Sequence, residues 1–267
     1  MFMKTKNVFA ITASLFLFAC EKVPITGRKQ VSLIPESDMI GMSLTSYKDF
    51  LSKNPPVAVT DNNEELVKKV GTNISKAVEA FMKEKGLSSR LEGYQWEFNL
   101  VNDKTVNAWC MPGGKVVVYS GLLAVTQTET ALACVLGHEI AHAVARHGNE
   151  RMSQALLVQL GGTALQVALS QKAQLTQDLF MQSYGATSQL GMLKYSRVHE
   201  SEADKMGLVF MAIAGYNPEE AIAFWDRMAK ASTGKQPYEI VSTHPSDETR
   251  IADIKAFLPQ AMKYYKK

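Results

Sequence analysis

Apolar and polar positions divide the chain into distinct segments. Val8 to Phe18 is a mainly apolar run preceded by Lys4 and Lys6. Its eleven residues are too few to cross a bilayer as a helix, which takes about 20. A short basic start followed by such a run predicts a leader outside the fold. From Asn62 to about Lys85, Leu66, Val70, Ile74, Val78 and Phe81 recur at helical spacing. Trp96, Phe98 and Leu100 alternate within Tyr94 to Val101, which predicts a strand, and the β-branched run Lys115 to Tyr119 predicts a second. Between them Asn107 to Gly114 reads as a loop. Thr126, with Glu129 three residues on, forms a capping box that should open a long helix running to about His147, with Gly148 as its stop. Further helices are expected at Arg151 to Lys172 and His199 to Ala214, then one opening at Asn217-Pro218 and one at Pro245. A helix, a few strands and then mostly helices make an α+β domain.

Composition changes this picture little. An apolar share of 46% and a charged share of 21% are those of a globular chain. A net charge of +3, with no basic stripe interleaved with aromatics, gives no reason to expect nucleic acid. The leader ends in Leu17-Phe18-Ala19-Cys20, which resembles a bacterial lipobox. The expected organisation is a lipoprotein leader at 1–19 and one domain at 20–267. Lipidation of Cys20 would tether that domain to a membrane, with Glu21 favouring the periplasmic face of the outer membrane over inner-membrane retention. Cys110 and Cys134 remain, either as a disulfide or as two small buried residues.

The candidate chemistry lies in His138-Glu139-Ile140-Ala141-His142. Histidines four residues apart differ by about 40° around a helix, so both imidazoles leave one face and can meet one ion. Glu139 sits between them as a general base. Roughly 0.006 such matches are expected by chance, so the signal is strong. Catalytic zinc takes three protein ligands, and the third must come from elsewhere. His147, nine residues after His138, falls about 180° away on a continuous helix and is expected to face away from the pair. Glu200 and Asp204 share a helical face, so one carboxylate can bind the metal while the other orients a ligand histidine. Glu202 points about 200° from Glu200. Spacing alone does not choose between these carboxylates, nor against a solvated acidic face.

Gly137 to His142, paired with Arg197-x-x-Glu200-x-x-x-Asp204, resembles the gluzincin metalloproteases. These include HtpX, the CAAX prenyl endopeptidases and the lipoprotein peptidases BepA and LoiP. Further matches lie in Pro24-Ile25-Thr26-Gly27-Arg28, Asn107-Ala108, Pro112-Gly113-Gly114, Ser120 to Leu123 and Thr243-His244-Pro245. The chain looks closest to the small LoiP-like lipoproteins, without the tetratricopeptide domain of BepA. The resemblance implies a zincin fold, one Zn2+ on His138, His142 and Glu200, Glu139 as base and Asp204 behind a ligand. His244 is implied either to stabilise the oxyanion or to act as a removable fourth ligand.

The expected activity is peptide-bond hydrolysis by metal-activated water. The strand Lys115 to Tyr119 is taken as an exposed edge flanking the active-site helix. Val116, Val117 and Val118 would there hold an extended substrate through main-chain bonds. The resemblance implies unfolded or misfolded envelope proteins as substrates and outer-membrane assembly machinery as a partner. The rivals are a non-catalytic zinc-binding chaperone or assembly lipoprotein and a hydrolase of cell-wall amides. Glu139 argues against the first, since structural zinc needs no base.

Overall fold

The computed structural model describes residues 20–159, 173–184, 196–231, 240, 244 and 249–266. The leader, most of the stretch expected as a helix to Lys172, and Pro245 lie outside these residues. The fold is α+β and mostly helical. Strands β1 (Cys20–Lys22) and β2 (Lys29–Val31) pair antiparallel around the Pro24 to Gly27 turn. Helices α1 (Glu36–Lys53) and α2 (Asn62–Glu84) follow. A three-stranded sheet then forms from β3 (Glu97–Val101), β4 (Ala108–Met111) and β5 (Lys115–Tyr119), in the order β3-β5-β4. The rest is helical: α3 (Ser120–Thr126), α4 (Glu129–Ala145), α5 (His147–Gln159), α6 (Ala173–Tyr184), α7 (Arg197–Ile213), α8 (Glu220–Ala231) and α9 (Arg250–Ala261).

The periodic stripe of α2 is its buried face: Val70, Ile74 and Val78 are inaccessible, with Val67 and Met82 beside them. Each such side chain contributes about 1.5–3 kcal/mol relative to exposure. Asp61 caps the helix by accepting from the Asn63 N–H. In the sheet, two expectations fail. The stretch read as a loop after Asn107 contains β4, which folds back through Pro112-Gly113-Gly114 onto β5. In consequence β5 is the central strand, parallel to β3 and antiparallel to β4, and Val116, Val117 and Val118 are fully buried. Both of its ladders are used, so those valines offer no edge to a peptide. A continuous β-branched run marks a strand buried on both faces, and that is its role here.

Helix α4 also begins later than its sequence indicates. Thr128, not Thr126, is the N-cap and accepts from the Ala131 N–H, while Thr126 ends α3 and Gln127 turns left-handed between them. At the other end Arg146 adopts a left-handed conformation (φ 61°), so the helix stops there and Gly148 lies inside α5. Arg90 donates to the carbonyls of Val144 and Ala145, and the Tyr94 hydroxyl to that of Ala143. The last turn is thereby satisfied inside the protein.

Helix α4 packs against α7 through two glycines. A Cβ on Gly207 would lie 2.9 Å from the His138 backbone nitrogen, and one on Gly137 would lie 3.0 Å from the Gly207 carbonyl oxygen. The backbones approach that closely because neither residue has a side chain. The contact falls one residue before His138 and three after Asp204, which sets the histidines of α4 against the carboxylates of α7.

Candidate metal centre

Five side chains converge at this crossing. His138, Glu139 and His142 come from α4, Glu200 from α7, and His244 from the segment before α9; all are buried. The Nε2 atoms of His138 and His142 stand 3.1 Å apart. Glu200 Oε2 is 3.4 Å from His138 Nε2, and its Oε1 is 3.4 Å from His142 Nε2. His244 Nδ1 is 3.3 Å from His138 Nε2 and 3.1 Å from Glu200 Oε1. One donor atom from each of the four lies within 4.8 Å of the others.

These separations fit zinc. Four donors at about 2.0–2.1 Å from one tetrahedral ion sit about 3.3 Å from each other. The chemistry agrees as well. The outer nitrogen of His138, Nδ1, faces Asp204 Oδ1 at 2.9 Å and donates its proton there. Its Nε2 is then left to offer a lone pair at the same point as His142 Nε2 and a carboxylate, and a metal cation there satisfies all three at once in a buried site. Glu200 Oε2 and Glu139 Oε1 are buried and have no hydrogen-bond partner among the described residues.

Electrostatics sort the groups. Burial opposes ionisation of Glu200, but His244, His138 and His142 outweigh it and hold its carboxyl well below the usual range. Burial likewise opposes Asp204, and Arg250 with His138 outweighs it. Burial raises Glu139, with His244 and His138 offsetting only part. Burial drives His142 well below its ordinary value. For His138, burial acts downward but Asp204 and Glu200 prevail, lifting it to about 9.

Several residues around the centre were not foreseen. Arg250 is buried and donates to both oxygens of Asp204, at 2.7 and 2.9 Å, with its guanidinium 3.4 Å over the Trp225 ring. No spacing marks it, since it reaches the site from another helix. His147 does not face away. The chain breaks at Arg146, so a count along one continuous helix fails, and the fully buried His147 sets its Nδ1 2.9 Å from His142 Nδ1. Its Nε2 lies 3.2 Å from Glu202 Oε2. Glu202 leaves α7 on the side opposite Glu200 and accepts from Arg28 Nε at 2.9 Å and Thr26 Oγ1 at 2.6 Å. Arg28 also forks onto Glu150, which meets His199 Nε2 at 3.0 Å. Cys110 and Cys134 are free buried thiols, not a disulfide, and burial raises both, Cys134 to about 12.

The sequence profile of peptidase family M48 matches residues 69–258. The mitochondrial metalloendopeptidase OMA1 of Saccharomyces cerevisiae is 31% identical over 263 residues, covering 94% of this chain and 73% of that protein. Its counterpart in Schizosaccharomyces pombe is 32% identical over 243 residues, covering 90% and 67%. The β-barrel assembly-enhancing protease of Escherichia coli is 32% identical over 170 residues, covering 60% and 34%. These matches overturn one expectation, a lipid-anchored protein on the periplasmic face of a bacterial outer membrane. The relatives aligned over nine-tenths of the chain are mitochondrial proteins, and a short terminal motif at Cys20 does not outweigh them. With the family profile spanning most of the chain and these relatives matching nearly all of it, the chain belongs to peptidase family M48 and is a zinc metalloendopeptidase.

Proposed function

We propose that His138, His142 and Glu200 hold the zinc, that Glu139 is the general base, and that Asp204 fixes the tautomer of His138. The observation that carries this reading is the convergence of His138 Nε2, His142 Nε2, the two oxygens of Glu200 and His244 Nδ1, whose neighbouring separations of 3.1 to 3.4 Å are close to those between donors on one zinc ion. When bound, zinc supplies a Lewis acid that acidifies water and polarises a carbonyl. The Glu139 carboxylate, 3.6 Å from His244 Nε2, takes a proton and returns it to the leaving amine. His244 Nδ1 lies at the fourth vertex, which favours a resting ligand that must leave over an oxyanion donor. On that reading His244→Ala raises basal proteolysis, whereas an oxyanion donor's loss lowers it.

Strand β4 takes over the role first given to β5. Asn107 O accepts from the Tyr119 N–H, so the alternation turns the backbone of Cys110 and the carbonyl of Ala108 away from β5. A peptide added there bonds through its main chain, with little demand on its sequence. That suits unfolded or misfolded protein as substrate and a role in protein quality control. The domain assigned to this activity is 20–267, supported by a core that runs from Val23 to Ala261.

The test is zinc content together with casein cleavage, with and without chelator, on the wild type and Glu139→Gln. The expected result is zinc in both chains and chelator-sensitive cleavage in the wild type, with the variant slower by about 10²–10⁴-fold. A Glu139→Gln chain that cleaves casein at the wild-type rate removes the mechanism. A wild type that binds zinc without cleaving casein, with His244→Ala equally inactive, supports the chaperone alternative.

A further inference from the structure

Beyond the ligands, one chain of hydrogen bonds, buried at its inner end, runs from the centre to the half-buried N-terminal turn. It passes from His142 through His147 and Glu202 to Arg28 and Thr26. Its proton directions are fixed at the far end, because an arginine only donates. Glu202, receiving from Arg28 and Thr26, is an acceptor toward His147, so the proton of His147 sits on Nε2. Nδ1 of His147 then carries a lone pair and accepts from His142 Nδ1. With its proton held there, His142 has a bare Nε2 toward the metal position. Reversing any link pushes the proton of His142 onto the atom that must bind zinc.

Resting on the metal site proposed above, we infer that His147 and Glu202 are positioning residues for His142, and that the Thr26–Arg28 turn is the outermost layer of the zinc site. The turn follows β1 and packs against α5 and α7, so it is a tertiary clamp on a ligand that its own helix leaves at a broken end. It also gives a use to the Pro24 to Arg28 motif, which contributes nothing to the centre directly.

The experiment measures zinc affinity of the full chain by competition with a chromophoric chelator. Absorption of the cobalt(II)-loaded protein reports ligand geometry, and melting of the zinc-free chains reports folding. Four proteins are compared: wild type, His147→Phe, His147→Asn and Glu202→Gln. Phenylalanine keeps the ring and removes the acceptor, and zinc affinity is expected to fall about 10–100-fold, the range for lost outer partners of metal ligands. Asparagine places an oxygen where Nδ1 was and restores most of the affinity and the cobalt spectrum. Glu202→Gln, nearly isosteric and not touching the metal position, lowers affinity about tenfold with an altered cobalt spectrum. If His147→Phe fails to fold, Glu202→Gln decides. Affinities of His147→Phe and Glu202→Gln within twofold of wild type, with an unchanged cobalt spectrum, overturn the inference. A wild type that binds no zinc overturns the metal-site reading itself, and the relay with it.

Discussion

The two histidines of α4 are supported in different ways. His138 rests directly on Asp204, which is gripped by Arg250 under the Trp225 ring, and all of these groups are buried. His142 reaches its carboxylate through a second imidazole, and the arginine at the end, Arg28, keeps 27% of its side-chain surface exposed. Each arm ends in a carboxylate held by an arginine, since a buried acceptor needs a fixed donor to stay ionised. They differ in length because α7 meets α4 squarely at the Gly137–Gly207 contact, beside His138. Near His142 the chain turns off into α5, and His147 spans the gap. A short enclosed arm is rigid; a long arm with an exposed end depends on parts of the chain far from the metal.

That contrast can be broken most sharply at Asp204. Asp204→Ala leaves Arg250 buried without its carboxylate, and a loss of about 3–5 kcal/mol is expected in denaturant melts of the zinc-free chain. Zinc affinity in chelator competition falls toward the upper end of about 10–100-fold. Gly207→Ala attacks what both arms share. Its Cβ, 2.9 Å from the His138 nitrogen, forces α4 and α7 apart at a cost of about 1–3 kcal/mol, with weaker zinc binding in the same assays. Arg28→Ala strikes only the long arm. About 2 kcal/mol is expected in melts, less than for a fully enclosed pair because solvent already reaches Arg28.

The last effect is one of pH. Burial raises Glu150 and Glu202, but Arg28 and His199 on the first, and His147, Arg28 and Thr26 on the second, prevail and hold both at about 2 against the ordinary 4.5. Carboxylates depressed in the fold contribute stability that is present above about 4.5 and lost as pH falls from there to about 2. The denaturation midpoint should drop through that window, and the drop should be shallower in Arg28→Ala.

Local signals were read well where a single helix decides geometry. His138, Glu139 and His142 share their face because α4 is regular there, and the stripe of α2 is its buried side. Reading failed where the chain changes direction. A left-handed Arg146 returned His147 to the centre, and a short strand inside a presumed loop moved β5 from edge to middle. The first leaves no residue pattern, because Arg146 is not a residue type that favours the left-handed region; the second is a hairpin, and Pro112-Gly113-Gly114 marks its turn but not that the four residues before it pair.

By itself, then, the sequence determined the metal-binding helix, the candidate base and two carboxylates at helical spacing on another segment, since 3.6 residues per turn makes those relations local. Only the tertiary structure decided that Glu200 meets the rings while Glu202 meets His147, that Arg250 and Arg28 anchor the two arms, and that, among the described residues, β4 ends its sheet. Those pairings depend on how closely two glycines let helices approach and where strands run out of partners, quantities set by packing across residues far apart in the chain.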